Sequence, residues 1–174
     1  MKKLISIVFF VIFFSANAQI IIGDDIGTAS NKTSVLLEFA ANHNKGIIVP
    51  YLRSLPATPT EGTIILDASN ASAARVKYYN GSWQDLSGQD ANVNPALTVQ
   101  PIGISETGGT IIGADNSAAD GVLVLESTTK AMVLPIVTDV QNIPSPSPGM
   151  IVYIKGVNKR LAVFNGAKWS FWKP

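Results

Sequence analysis

The stretch RVKYYNGSW, residues 75–83, carries the pattern that decides the fold of this chain. Polar and apolar side chains alternate over its first four positions, which is the period of a β-strand with one solvated face. Asn80 and Gly81 then supply the residues that best tolerate a positive φ, so a tight hairpin turn into a second strand is expected. Trp83 follows that turn, and its ring is expected to pack back across the hairpin.

The same hairpin pattern returns once more in the chain. FNGAKW, residues 164–169, places Asn165 and Gly166 at the turn and Trp169 after it. Other segments return in the same order, which indicates an internal repeat in two degenerate copies. The further matched pairs are VLL (35–37) with VLV (122–124), KGIIVP (45–50) with KAMVLP (130–135), and EGTIIL (61–66) with PGMIVY (148–153).

Short apolar runs, rich in β-branched and aromatic residues and bounded by Gly, Pro, Asn or Ser, make up each copy, which is typical of strands rather than helices. We therefore predict a mainly β fold: two tandem small β-repeat units of short antiparallel strands and hairpins with Pro-rich loops, and no long helix after the leader. One short helical turn is expected in each copy, within 51–55 and 137–142. The predicted strands are 34–39, 46–50, 62–67, 75–80, 82–86, 121–126, 131–135, 149–154, 160–165 and 168–172.

The leader, residues 1–18, has the layout of a secretory signal peptide. MKK is positive, the apolar run that follows is too short to span a bilayer, and ANA at 16–18 fits a cleavage site. The predicted organisation is a signal peptide at 1–18, a first repeat unit at 19–86, a linker at 87–103 and a second unit at 104–174. Each unit is small enough for a marginal core, so the units are expected to pack on each other, on another copy or on a larger partner.

Composition narrows the classes of function. The chain has 174 residues, a net charge of +1 and no cysteine. Nucleic-acid binding is not expected, and disulfides, thiolate metal sites, cysteine nucleophiles and a lipidated cysteine are excluded. His43, the single histidine, lies in a polar turn without a neighbouring nucleophile, and Asp24 with Asp25 are fewer carboxylates than a calcium loop supplies. We expect no enzyme activity, no catalytic residue, no cofactor and no metal site.

Aromatic residues near the hairpin ends form the candidate interaction site. Alternation along 168–172 places Trp169 and Phe171 on the expected core face and leaves Trp172 outward, where it either contacts a partner or covers the core edge. Stacking on sugar rings is the alternative use of these rings. The candidate interaction residues are Trp172, Phe171, Trp83 and Tyr78, and the candidate structural turn residues are Asn80, Gly81, Asn165 and Gly166.

As a set, the Tyr-Tyr-Asn-Gly-x-Trp hairpin at 78–83, the Lys-Gly-hydrophobic-Pro strand at 45–50 and VLVLESTTK at 122–130 resemble a known repeat. This repeat is found in exported, cell-surface or fibre-like proteins of the Bacteroidetes, where it resembles the modules of adhesins or tail fibres. The resemblance covers the chain after the leader, in two degenerate copies.

This resemblance implies an exported, non-enzymatic structural or protein-interaction module of the bacterial cell envelope, in the periplasm, at the outer membrane or on the cell surface. A protein partner or self-association is expected, without a membrane span after cleavage of the leader. Two alternatives stay open. One is an accessory subunit of an outer-membrane type IX secretion or gliding-motility complex, and the other is a carbohydrate-binding module with a glycan partner.

Overall fold

The computed structural model describes residues 19–100 and 108–172, which form short strands in four small sheets and one short helix. The signal peptide prediction and parts of the predicted linker and second unit lie outside these residues. The elements are β1 (Ile20–Ile22), β2 (Val35–Phe39), β3 (Ile47–Ile48), β4 (Tyr51–Leu52), β5 (Ile64–Asp67), β6 (Arg75–Tyr79), β7 (Trp83–Asp85), α1 (Asn94–Thr98), β8 (Thr110–Ile112), β9 (Leu123–Leu125), β10 (Ala131–Met132), β11 (Ile136–Val137), a 3-10 turn (Val140–Asn142), β12 (Met150–Ile154), β13 (Arg160–Phe164) and β14 (Trp169–Trp172).

The two copies of the repeat share one pairing scheme, which confirms the mainly β repeat fold. Each opens with a parallel pair, β1–β2 and β8–β9, and each continues with a second parallel pair, β4–β5 and β11–β12. Two antiparallel hairpin strands then follow in each copy, β6–β7 and β13–β14. The parallel pairs were not expected from the sequence, because the isoleucine-rich runs of β1 and β8 are only three residues long.

Backbone hydrogen bonds repeat between the copies and fix their alignment. The bond from Ala40 N–H to the Ile22 carbonyl and the bond from Glu126 N–H to the Ile112 carbonyl are both 2.8 Å long. The register of the opening pairs therefore aligns Leu37 with Leu123. This corrects the sequence alignment of VLL with VLV by one residue, because apolar residues fill both neighbouring positions and the pattern alone does not separate them.

Strands from each copy complete a sheet of the other. β3, from the first copy, pairs antiparallel with β12 of the second, with Ile48 opposite Met150. β10, from the second copy, pairs in parallel with β2 of the first, with Met132 opposite Leu37. Of the three ways in which the small units were expected to gain stability, the described residues show the first, packing on each other.

The largest apolar cluster also joins the two copies. Leu66 and Val76 of the first copy lie in one buried cluster with Ile151 and Val163 of the second. A second cluster, around Val152, belongs to the second copy. Burial of this shared surface contributes about 25 cal/mol for each Å² of apolar area removed from water.

The described part of the predicted linker, 87–103, contributes residues to the hydrophobic core. Ala91, Val93 and Leu97 are buried in the shared cluster, and Ala91 forms a β-bridge with Ala74. Pro95 lies in the first turn of α1, where its fixed φ suits a helix and no amide hydrogen is required. The polar residues of this segment favoured a linker, but its spaced apolar residues place it in the core.

One of the two expected helical turns is wrong. Tyr51–Leu52 is the strand β4, whereas a 3-10 turn forms at Val140–Asn142. The difference has a local cause, because the side chain of Asp139 accepts a 3.0 Å hydrogen bond from Gln141 N–H and caps the second turn.

The two hairpin loops place Gly81 and Gly166 at φ 87° and φ 111°, while neither asparagine is among the residues with positive φ. Trp83 lies edge-on to Tyr79, with ring centroids 5.2 Å apart, and Trp169 lies 5.1 Å from Phe164. Both tryptophans thus pack across their hairpins, as their position after the turn predicted.

Asn165 differs from Asn80 in burial and hydrogen bonding. It is fully buried, its Oδ1 accepts hydrogen bonds from the amides of Ala167 and Lys168, both 2.9 Å, and its Nδ2 donates to the Gln89 carbonyl at 2.8 Å. Asn80 is exposed. One side chain therefore holds the second hairpin turn and joins it to the segment after the first repeat.

Replacing Asn165 with alanine should lower the free energy of unfolding by about 1–3 kcal/mol, because buried amide and carbonyl groups lose their partner. Asn80→Ala, at the matching exposed turn, is the control and should change it by less than about 0.5 kcal/mol. Urea denaturation followed by tryptophan fluorescence measures both values. Equal losses in the two variants would contradict a special role for Asn165.

Candidate functional site

Two of the four aromatic candidate residues, Phe171 and Trp172, lie on β14, the last strand of a sheet. The sheet order is β11-β12-β13-β14, so β14 has one neighbouring strand among the described residues. Phe171 and Trp172 at its end are 42% and 47% exposed. Exposed aromatic side chains on an open strand edge are typical of surfaces that contact another protein.

Side chains of β14 also bind the end of the first repeat. The indole N–H of Trp172 donates a 2.8 Å hydrogen bond to the Leu86 carbonyl, and the hydroxyl of Ser170 donates to the Ser87 carbonyl. Trp172 thus has a structural contact and also an exposed surface, while its contact with a partner stays a prediction.

Phe171 corrects one sequence expectation. Trp169, two residues earlier, packs against the second apolar cluster, but Phe171 is exposed and lies under the guanidinium of Arg160, 4.0 Å from the ring centroid. The core ends before this position, and a cation over the ring covers part of it instead. Phe171 is therefore a surface residue.

The remaining candidates, Tyr78 and Trp83, are half-buried in the first copy. Tyr78 lies opposite Ile64 on β5 and Gln84 on β7. The described residues contain two close aromatic pairs, both within single hairpins, so the four candidate side chains are not gathered into one aromatic platform.

Glu38, which the sequence analysis did not single out, is the most buried charged group of the described residues. It lies in the middle of β2, and its Oε2 accepts hydrogen bonds from the amides of Thr28 at 2.8 Å and Ala29 at 2.9 Å. The side chains of Lys32 and Gln19 donate to its other oxygen. A carboxylate inside the apolar run VLLEF was the signal in the sequence that could have found it.

The surroundings of Glu38 favour its charged form. Burial raises the pKa of this carboxyl, but the hydrogen bonds from the Ala29 amide, the Lys32 ammonium and the Thr28 amide outweigh it and hold the pKa below its ordinary value. Gly27 makes room for the carboxylate, since a Cβ there would lie 2.3 Å from the carboxyl carbon. The group therefore organises the loop between β1 and β2.

The other ion pairs hold the first hairpin. Lys77 on β6 pairs with Asp67 on β5 at 2.7 Å, and Arg75 pairs with Asp85 and Asp90. Burial raises the pKa of Asp67, but the hydrogen bonds from Lys77 and Ser69 outweigh it and lower the pKa. Each pair has a structural partner on a neighbouring element, which is typical of a stabilising network.

The residues weighed for chemistry lie at the surface or serve a loop. His43 is exposed, and the carboxylate of Asp24 accepts hydrogen bonds from the amides of Gly27, Ile26 and Ala41, which lowers its pKa. Over residues 19–100 and 108–172, no group of three or more histidine, aspartate or glutamate side chains could hold a metal ion. No helix in this part of the chain is long and apolar enough to cross a membrane.

Open strand edges are the second surface feature. Large apolar side chains are exposed on β5 and at β9, where Ile64 is 37% and Leu123 is 49% exposed. Ile48 on β3 is exposed as well. Soluble proteins usually protect open strand edges with charges, proline or a covering element, and within the described part of the chain such protection is absent at these three exposed side chains.

Residues 111–173 match the model of a family described as phage tail like trimerisation region. The match begins in β8, ends just after β14 and covers most of the second copy of the repeat. No curated protein and no solved structure matches the chain. The fold and this match together fit a tail-fibre-like β-repeat module, a class with a structural role and self-association.

Replacing Glu38 with glutamine should lower the free energy of unfolding at pH 7 by about 1–3 kcal/mol. Because the folded pKa of Glu38 is lowered, its charge contributes stability above the unfolded value of about 4.3 and loses it as the pH falls through the folded value. The difference in free energy of unfolding between the wild type and Glu38→Gln should thus become smaller below about pH 4. Denaturation at a series of pH values measures it.

The control for this series is Glu61→Gln, because Glu61 is exposed. Its free energy of unfolding should follow the wild type at each pH. A constant gap between wild type and Glu38→Gln from neutral to acid pH would contradict the role assigned to the charge.

Proposed function

We propose that the protein is an exported, non-enzymatic structural module of the bacterial cell envelope that assembles with copies of itself into a trimer. The match of residues 111–173 to a trimerisation region carries this proposal. The first copy repeats the strand pairing of the matched region, so the whole described chain is built from the type of unit that the match concerns.

The physics of the fold supports assembly. Each repeat is too small to bury a full core, and the four sheets have two to five strands with open edges. Exposed apolar residues on those edges gain stability when another chain covers them. Fibre-like proteins need mechanical and chemical durability, and the Asp24 carboxylate serves that use by bonding to the amides of Ile26, Gly27 and Ala41.

The purified protein should have three times the mass of its denatured chain in native mass spectrometry and light scattering. Because association follows mass action, the trimer should dissociate on dilution with a third-order dependence on chain concentration. A purely monomeric or dimeric mass across the micromolar range would contradict the proposal.

Export belongs to the same proposal and rests on the sequence of residues 1–18. The positive start, the apolar run and the ANA site predict cleavage before Gln19. Protein recovered from the cell envelope should therefore begin at Gln19 in N-terminal mass analysis. An intact Met1 start in that fraction would contradict this part of the proposal, and Ala18→Arg, which disrupts the cleavage site, is the matched control.

A further inference from the structure

The two strands that cross between the repeats are equivalent to each other. β3 lies in KGIIVP and β10 lies in KAMVLP, the same motif in the two copies. β3 joins β12, the strand of the second repeat that also pairs with β11, and β10 joins β2, the second strand of the opening pair of the first repeat. One type of strand thus binds two different types of acceptor.

The two equivalent strands use opposite edges. In the first copy Val49 N–H donates a 3.2 Å hydrogen bond to the Gly149 carbonyl, so Ile47 and Val49 face β12. In the second copy the amides of Ala131 and Val133 donate, at 2.8 Å each, to the carbonyls of Ser34 and Leu37. Ala131 and Val133 correspond to Gly46 and Ile48, the positions that face away from β12 in the first copy.

Each equivalent strand therefore has one unused edge. β3 keeps the amide of Ile48 unused, and β10 keeps the backbone groups of Met132 unused, among the described residues. The edge that is unpaired in β3 corresponds to the edge through which β10 pairs with β2. The edge that is unpaired in β10 corresponds to the edge through which β3 pairs with β12. For each unpaired edge, the chain therefore already shows the same edge of the equivalent strand paired with an acceptor strand.

The matching acceptor is open on β5. Met150 and Ile151, which receive β3, correspond to Thr63 and Ile64. Tyr79 N–H donates to the Thr63 carbonyl, so Thr63 faces β6 and the backbone groups of Ile64 point to the opposite edge of β5. Along that edge β4 pairs only with Leu66 and Asp67. Ile64 therefore lies at a vacant position of the type that β3 fills on β12.

The second matching acceptor is open on β9. Leu37, which receives β10, corresponds to Leu123 in the register of the opening pairs. Thr110 N–H donates to the Val122 carbonyl at 2.9 Å, so Leu123 directs its backbone groups away from β8. Its exposed side chain lies beside Val122, which is 63% exposed.

Resting on the proposed trimer, we infer that copies of this chain join head to tail by strand addition at these two vacancies. β10 of one copy adds antiparallel to β5 of the next, with Val133 opposite Thr63 and Met132 opposite Ile64. β3 of that next copy adds parallel to β9 of the first, and Ile48 N–H donates to the Leu123 carbonyl. The occupant is a second copy because the motif seated at each equivalent site is this chain's own.

Both contacts connect the second repeat of one copy with the first repeat of the next. The interface is thus heterologous: each copy uses two different surfaces, and the assembly closes into a ring when the third copy returns to the first. A reciprocal pair of copies would make the same two contacts twice, so the mass of the assembly distinguishes a closed ring of three copies from such a dimer.

Cysteine pairing tests the register directly, because the chain has no cysteine of its own. The Thr63–Val133 pair copies Met150–Ile48, which lies beside the bonded Val49–Gly149 pair and is therefore non-hydrogen-bonded, with Cα atoms about 4.5 Å apart. That separation suits a disulfide. Coexpressed Thr63→Cys and Val133→Cys chains should form a disulfide-linked heterodimer on oxidation.

Two controls accompany this experiment. Thr63→Cys chains alone should not link, because each Thr63 faces Val133 rather than another Thr63. Thr63→Cys with Val157→Cys should not link either, since Val157 is a fully exposed loop residue between β12 and β13. The inferred register is wrong if the Thr63→Cys and Val133→Cys chains form no disulfide. It is also wrong if the control chains form disulfides in the same yield.

A proline at Ile48 tests the second contact. Ile48→Pro removes an amide that faces away from β12, so the fold should persist in circular dichroism while the dissociation constant rises about tenfold, the equivalent of one lost hydrogen bond. Ile48→Thr keeps the amide and is the control. If the proline variant does not fold, Leu123→Lys replaces it, with Val157→Lys as its control.

The outcomes separate the inference from the proposed function. If the wild-type protein is a monomer, both the proposed trimer and the inferred strand addition are wrong. A trimeric wild type that gives no Thr63–Val133 disulfide, and whose dissociation constant is the same in the Ile48→Pro and Ile48→Thr variants, leaves the trimer in place and overturns strand addition at β5 and β9. A disulfide together with weakened association of the proline variant supports the inference.

Discussion

The exchange of single strands between the repeats is the constraint on which the rest of the structure depends. β3 supplies an edge to the second repeat and β10 supplies one to the first, so neither repeat has its full sheet without the other. The shared cluster around Leu66 and Ile151 forms behind these pairings. The described residues should therefore unfold as one cooperative unit, although the sequence divides into two copies.

Local features of the fold were predictable, because they depend on neighbouring residues. The turns at Gly81 and Gly166 and the tryptophans after them follow from φ preference and cross-strand packing. The residue-by-residue alignment of the two copies was not predictable, because matching Leu37 with Leu123 or with Val124 leaves the apolar pattern unchanged. Register over such distances is set by packing of the whole molecule.

The candidate site divides in the same way. Strand alternation places Trp172 opposite to Trp169, but the sequence does not indicate that this second face also meets the first repeat, at Leu86. The exposure of Phe171 depends on where the core ends and on Arg160 from another strand. Glu38 was missed because a single charge in an apolar run gives no indication of the loop amides that will surround it. The buried part of the predicted linker was missed because its polar residues outnumber Ala91, Val93 and Leu97.

The hydrogen bonds from β14 to Leu86 and Ser87 give the molecule a second path for mechanical load. Tension applied at the C-terminal strand reaches the end of the first repeat through these side chains and through the Asn165–Gln89 bond, in parallel with the covalent connection between the repeats. Bonds that act together share the force and rupture later than bonds loaded one by one. The segment that connects the repeats therefore carries only part of a force applied at β14.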